Sequence, residues 1–421
     1  MTFATDLFEA LHASGWDGQG ITRDTYGVGE SAALDIIEHA ARAHGLDTER
    51  DAGANLVVTL TGREPELPFL ACGSHLDSVP QGGNFDGAAG VIAGLAALVR
   101  MRAEGVVPRR RIRVYGLRGE ESAAFGRSYI GSSALLGVLP AADLDLRHAV
   151  SGETLRDRMR AVGASVDRIE RGDVLLPPAS VAAWLELHIE QGPVLVAREM
   201  PVAIVTGIRG NIRHRSVECI GEAGHSGAVP RSLRHDTVFA VAELLTLLDH
   251  AWQSFLTSGS DLVVTAGVLG TEPAEHAIAR IPGRMHFSFE ARSESQSTLD
   301  RYYALFLAAC RRIEAERGVR FVLGPPLHTA PAVMDRGWVE TLRDVVRRLD
   351  LPDQPMASGA GHDAAVFANA GVPSAMIFIR NEHGSHNPLE AMRMEDFDLG
   401  AEVLRLALAK GSEFVSPAGG V

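Results

Sequence analysis

Histidines and carboxylates recur in this chain in short clusters, each placed just after an apolar run. His75, Asp77 and Asp86 fall in GSHLDS (73–78) and GGNFDG (82–87), directly behind PFLACGSH (68–75). An imidazole with a carboxylate suits zinc and similar divalent ions, and a carboxylate two residues beyond a histidine is placed to orient its ring. RVYGLRGEES (113–122) ends in the adjacent pair Glu120 and Glu121. Neighbouring carboxylates past a strand point in different directions, so one can hold a metal while the other handles protons. WLELHIEQG (184–192) sets His188 and Glu190 on one alternating face and turns Gln191 the other way. GEAGHSG (221–227) places His225 in a glycine-rich loop, and FIRNEHGSHNP (378–388) offers His383 and His386. Taken singly, an acidic pair is more often a solvated face and a lone histidine more often structural. Strand-end placement of all of them, in a chain with 16 histidines, favours a metal-assisted hydrolase.

The elements that must position these groups follow from the same runs. Apolar stretches ending in the motifs read as buried strands, and open α/β sheets bind ligands at strand carboxyl ends. Strands alternating with helical patterns from about 55 to 150 predict βαβ units and a largely parallel sheet. SAALDIIEHAARAHGL (31–46) and AAGVIAGLAALVRMRAEG (88–105) have helical periodicity. From about residue 212 the character changes: RHRSVECIG, a helix through 236–250, DLVVTAGVLG, RMHFSFEARS and a helix through 298–316 give a βαββα order. That order predicts a small α+β domain with an antiparallel sheet. SGAGHDA, PSAMIFIR and SHNP then return to site chemistry. The expected organisation is therefore an α/β catalytic domain in two parts, 1–211 and 329–421, with an inserted α+β domain at 212–328. No repeat is present, and the tail SPAGGV is expected to be disordered.

The chain is 421 residues long and 46% hydrophobic, enough for two domains with cores of their own. A net charge of −13 disfavours nucleic acid as a partner. Three scattered cysteines, Cys72, Cys219 and Cys310, give neither a disulfide framework nor a zinc-binding CxxC. No apolar stretch reaches the roughly 18 residues of a membrane span. The N-terminal MTFATDLFEALHASG lacks the basic and apolar regions of a signal peptide, so a cytoplasmic location is expected.

The motifs in order, GSHLDSV, GGNFDG, EE, ELHIEQGP, GHSG, SGAGHDA and SHNP, resemble the dinuclear-metal amidases. That family includes N-carbamoyl-L-amino-acid hydrolases, allantoate amidohydrolases and β-ureidopropionases, within the aminoacylase and carboxypeptidase-like metallohydrolases. The resemblance runs from about residue 20 to 410. It implies two divalent ions per subunit, zinc first, with manganese, cobalt or nickel able to use the same ligands. It implies that Asp86 bridges them, that His75 and His188 complete one position, and that Glu121 and His386 complete the other. Glu120 is then the general base. His225 is implied to reach the active site of a partner subunit as an oxyanion donor, the inserted domain acting as lid and dimer contact. Asp77 belongs to the catalytic machinery as an orienter of its neighbours. Asp363 is either a second such orienter or the N-cap of the helix beginning AAVFANA.

The candidate contacts to a small-molecule substrate are Arg292, Gln191, His276 and Asn84. In the carbamoylase-like pattern a segment of the type NVIPG supplies an asparagine, and an arginine thirteen residues later clamps the substrate carboxylate. Here EHAIARIPG (275–283) has Ala279 at that asparagine, while Arg292 is retained. His276 either compensates for the missing amide or is simply solvated. GHSGAVP (224–230) lacks the threonines usual after the histidine, and Ala124 replaces an arginine common just after the EE pair. These departures bear on the substrate, because a site built to hydrogen-bond a group discriminates strongly for it. The leading expectation is an amidohydrolase cleaving a linear amide or ureido C–N bond of a small carboxylated compound, first an N-carbamoyl-L-amino acid. An allantoate-type enzyme, a deacylase or peptidase of the same architecture, and a catalytically silent binding protein are the alternatives.

Overall fold

The computed structural model describes residues 2–413. The chain forms two compact units, one running to Thr206 and resuming at Val333, the other spanning Gly207–Ala332. These junctions lie a few residues outside the 212 and 328 of the sequence reading. The expected disorder of SPAGGV falls outside the described residues.

The larger unit is built on a nine-stranded mixed sheet. Its strands are β1 (Asp47–Arg50), β2 (Leu56–Leu60), β3 (Phe69–His75), β4 (Ile112–Leu117), β5 (Val181–Ile189), β6 (Val202–Ile208) and β7 (Ser374–Ile379), with two short strands beside β6. The central four, in the order β4, β3, β5, β7, run parallel. Every residue of β3 and β7 is buried, as a strand covered on both faces requires. The flanks are antiparallel: β2 opposes β4, β1 opposes β2, and β6 opposes β7. The alternation expected up to residue 150 thus reduces to one βαβ unit. After β4 the chain instead makes short helices (Ile130–Leu135, Leu155–Ala161, Val166–Glu170) around a separate small core that includes Phe125, Ile130 and Leu155.

The connecting helix α3 (Ala88–Ala103) is buried nearly all round, which explains an apolar pattern without a polar face. Its close approach to the sheet depends on Gly90: a Cβ there would sit 2.3 Å from the Leu187 carbonyl oxygen. After α1 (Phe3–Gly15), helix α2 (Val28–Ala43) matches the first predicted helix, ending three residues earlier than read.

The smaller unit is an antiparallel sheet in which Arg284–Ser293 lies between Leu269–Thr271 and Gly210–Ile220, the latter also pairing with Arg320–Leu323. Arg284–Ser293 alternates exposed or half-buried with buried residues. Helices Thr237–Thr257 and Gln296–Arg317 share a core with its Phe287 and Phe289 through Leu244, Tyr302 and Phe306. Asp236 and Ser295 cap these helices by accepting backbone N–H bonds.

Candidate metal centre

The four parallel strands end at one edge of the sheet, and the sequence motifs occupy that edge. His75 is the last residue of β3, and His188 is next to last in β5. Glu120 and Glu121 follow β4 and His386 follows β7, while Asp86 precedes α3. Gly87, with φ +65°, turns the chain there, and a Cβ on it would lie 2.6 Å from the His75 ring. Only glycine meets both demands.

Asp86 is the centre of the arrangement. Its Oδ1 lies 3.4 Å from His75 Nε2 and 3.2 Å from His188 Nε2. On the other side Oδ2 lies 3.4 Å from His386 Nε2, which is 3.2 Å from Glu121 Oε1. Two ligand triads therefore share one carboxylate: His75–Asp86–His188 and Asp86–Glu121–His386. Asp86 Oδ1 and Glu121 Oε1 are buried without a hydrogen-bond partner. Orphaned carboxylate oxygens facing imidazole nitrogens fit a pair of divalent cations, and buried acceptors are rarely left unused otherwise. Backbone carbonyls behind the rings fix which nitrogen turns inward. His75 Nδ1 is 3.1 Å from the Asp77 carbonyl and His188 Nδ1 is 2.9 Å from the Ile189 carbonyl. A carbonyl only accepts, so both Nδ1 atoms carry hydrogen, and it is Nε2 of each ring that is turned toward Asp86.

The electrostatics agree with the geometry. Burial pushes the Asp86 carboxyl up, but the His188, His386 and His75 imidazoles facing it outweigh that and hold the group well below the usual carboxylate range. Burial, with Glu121, Asp363 and Asp77 nearby, pushes Glu120 well above its ordinary value despite His75. Glu120 Oε2 stands 4.0 Å from His75 Nε2, facing the centre while outside both triads. A buried carboxylate with raised proton affinity suits the abstraction and return of a proton.

Asp77 stands behind the centre. Its Oδ1 accepts the Glu120 N–H, and its Oδ2 accepts the Glu121 N–H and the Thr25 hydroxyl. It thereby fixes the loop carrying both glutamates and works as a positioning group. Gln191 departs from the simple alternation. β5 ends at Ile189, and Gln191 has φ +62°, so its amide swings to donate to Asp86 Oδ2 at 2.7 Å. Glu190 is used instead by the backbone N–H groups of Val194 and Leu195.

Other candidates are engaged elsewhere. Asn84 donates to the Phe8 carbonyl and accepts from Arg23, so its amide is tied into the fold. Asp363 is not an N-cap: His362 holds that position, and Asp363 accepts from Ser132 Oγ. Its carboxyl is pushed up to about 7 by burial and by Glu186. His383 is exposed and outside the triads. Glu186, His188 and His362 also cluster, yet both Glu186 oxygens are taken by Ser74, Trp184 and Ala364.

Within the smaller unit, His225 is exposed and accepts the Gly227 N–H at Nδ1. The segment around Ala279 lies beside it, the Ala279 carbonyl accepting from Ser226 and Arg280 pairing with His225. Two of the three departures from the family pattern, Ala279 and the GHSGAVP segment, are thus neighbours. His276 Nε2 is 2.7 Å from Thr271 Oγ1, and Arg292 is 3.1 Å from Glu290.

Sequence reasoning missed Arg23, Thr25, Ser385 and Glu390. Arg23 is fully buried, bonding the Leu76 carbonyl and Asn84, and its Nη2 has no partner. Its only signal was a lone arginine in a polar turn. Glu390, four residues past His386, could have been suspected from proximity alone.

The fold and this edge, whose two triads meet at Asp86, define a metal-dependent hydrolase, and residues 71–410 match the model of peptidase family M20/M25/M40. The chain belongs to that family. It is similar to an N-carbamoyl-L-amino acid amidohydrolase of Geobacillus stearothermophilus, at 35% identity over 91% of this chain and 92% of the relative. An allantoate amidohydrolase of Escherichia coli is 30% identical, with 92% of each chain covered. A ureidoglycolate hydrolase of Arabidopsis thaliana is 31% identical over 93% of this chain and 82% of the relative. Among solved structures, a hydantoinase/carbamoylase family amidase from Burkholderia ambifaria superposes with a TM-score of 0.85 at 28% identity, over 98% of this chain and 97% of that one.

Proposed function

We propose that this member of the amidohydrolase branch hydrolyses the linear ureido C–N bond of a small carboxylated substrate, most simply an N-carbamoyl-L-amino acid. The observation that carries the reading is the pair of triads joined at Asp86, with Oδ1 of Asp86 and Oε1 of Glu121 left without partners. His75 and His188 hold one divalent ion with Asp86, and Glu121 and His386 hold the other. Zinc is the first choice for these nitrogen and oxygen ligands, with manganese, cobalt or nickel as substitutes. Such ions supply Lewis-acid polarisation of a carbonyl and acidify water.

The side chains do the rest. Glu120 accepts the proton of the attacking water and returns it to the leaving nitrogen, and Asp77 holds its loop in place. His225 donates to the developing oxyanion. Arg292 pairs with the substrate carboxylate through a planar, two-pronged contact. A homodimer formed through the smaller unit, with His225 given to the partner's site, completes the proposal. A cytoplasmic location is supported by three buried cysteines that are all free.

Allantoate or ureidoglycolate is the second reading, because relatives of nearly equal identity carry those names and Ala279 removes an amide from the recognition segment. Enzyme reconstituted with each metal is to be offered N-carbamoyl, N-formyl and N-acetyl amino acids, allantoate, ureidoglycolate and dipeptides. Ammonia release from N-carbamoyl amino acids at the highest kcat/KM is the expected outcome. Turnover confined to dipeptides would overturn it.

A further inference from the structure

The loop 381–390 that carries His386 is under local strain. His383 and His386 both adopt left-handed φ, +66° and +60°, a region that non-glycine residues hold only when surrounding contacts enforce it. Several bonds shape the loop from within: Asn381 Nδ2 to the Gly384 carbonyl, Asn387 Nδ2 to the carbonyls of His383 and Ser385, and the Leu389 N–H to Asn387. None of these places the loop against Asp86.

Glu390 does. Its Oε1 accepts the N–H groups of Phe85 at 2.8 Å and Asp86 at 3.2 Å, and its Oε2 accepts the Ser385 hydroxyl at 2.6 Å. Ser385 Oγ is also 2.5 Å from Asp86 Oδ2. One buried carboxylate therefore ties the backbone of the bridging residue to the loop of the His386 ligand, segments about 300 positions apart in sequence. The fit is close: a Cβ on Gly83 would come 2.1 Å from the Glu390 carboxylate. His75 and His188 sit within β3 and β5 and need no such tie.

We propose that Glu390, acting with Ser385, is a positioning residue that sets the cation affinity of the Asp86–Glu121–His386 position and leaves the His75–Asp86–His188 position nearly untouched. The proposal rests on the dinuclear reading above. It assigns Glu390 no contact with a cation. Ligands carried on strands stay in place without it, whereas His386 rides on a strained loop that this carboxylate anchors. Outer contacts of this kind typically account for about 10- to 100-fold in metal affinity.

The test is stepwise zinc binding, by chelator competition with bound-metal analysis, on the full chain as wild type, Glu390→Ala, Glu390→Gln, Ser385→Ala and His386→Ala. Wild type is expected to take up two ions per chain. Glu390→Ala should keep one ion at wild-type affinity and bind the second about 10- to 100-fold more weakly, approaching the one-ion His386→Ala protein. Ser385→Ala should weaken the same ion to a smaller degree. Glu390→Gln should restore it, because the amide oxygen can accept from Phe85 and Asp86 while the amide nitrogen donates to Ser385. Wild-type affinity for both ions in Glu390→Ala overturns the proposal, as does equal weakening of both. Should Glu390→Ala not fold, Ser385→Ala decides: an unchanged second ion there also overturns it. If wild type binds fewer than two ions, the dinuclear reading itself falls, taking the proposal with it.

Discussion

The two halves of the centre are built differently although they share Asp86. His75 and His188 lie on neighbouring buried strands, are themselves buried, and have their rings locked by the carbonyls of Asp77 and Ile189. Glu121 and His386 lie on loops, and the His386 side chain is 51% exposed. One half inherits its geometry from the sheet, while the other must be assembled by hydrogen bonds among loops. A shared carboxylate thus joins a rigid position to an adjustable one.

The comparison is broken most severely at its shared member. Asp86→Ala should lose both ions and all measurable turnover, whereas His386→Ala should lose one ion and retain the other. Metal analysis after dialysis decides between these patterns. Two ions retained by Asp86→Ala would show that the triads are not joined through it.

Glu120 belongs to neither half, and its replacement separates proton transfer from metal binding. Glu120→Gln should keep both ions and its substrate affinity while kcat falls roughly 10²- to 10⁴-fold. Loss of an ion in this variant would mean that Glu120 and Glu121 have exchanged roles. Arg292→Ala should act on neither half: kcat/KM should drop by the equivalent of roughly 1.5–3 kcal/mol for a charged hydrogen bond, with metal content unchanged. The drop should shrink for substrates lacking a carboxylate, and an equal drop for all substrates would remove the clamp from the account.

How legible this was depended on what held each residue. His75, His188 and β7 stood on apolar runs whose burial the sequence displays, so the strand-end cluster followed from the pattern. Gln191 was misdirected because alternation stops where a strand stops, and the left-handed backbone at that residue leaves no trace in composition. Nothing local reveals that the Asn84 amide meets the Phe8 carbonyl. Arg23 was invisible for the same reason, its partners lying about 50 residues away in sequence; Glu390, bonded about 300 residues away, offered only its closeness to His386 as a signal. The parallel quartet was readable from its continuous hydrophobic runs. The antiparallel flanks were not, because a short buried strand reads alike in either direction.

The smallest effect, and the finest test of the difference between the halves, is in pH. Hydrogen bonds that the charged imidazole donates to Asp86 and Glu121 raise His386 to about 10. At His75 and His188, burial opposes the charge but the neighbouring carboxylates prevail, so both are also raised. For a group raised in the folded state, the associated stabilisation of metal-free protein is complete below the ordinary histidine value near 6.5 and is lost as pH rises toward 10. Cation binding requires neutral imidazole, so uptake must displace these protons and apparent affinity must climb with pH across that window, by about tenfold per unit for each proton released. Calorimetry of zinc binding at pH 8, in buffers of different ionisation enthalpy, counts those protons. Wild type should release about one more than His386→Ala, the share belonging to the loop-borne half. Equal release from both proteins would show that His386 enters the centre already neutral, and that the exposed half is no more proton-coupled than the buried one.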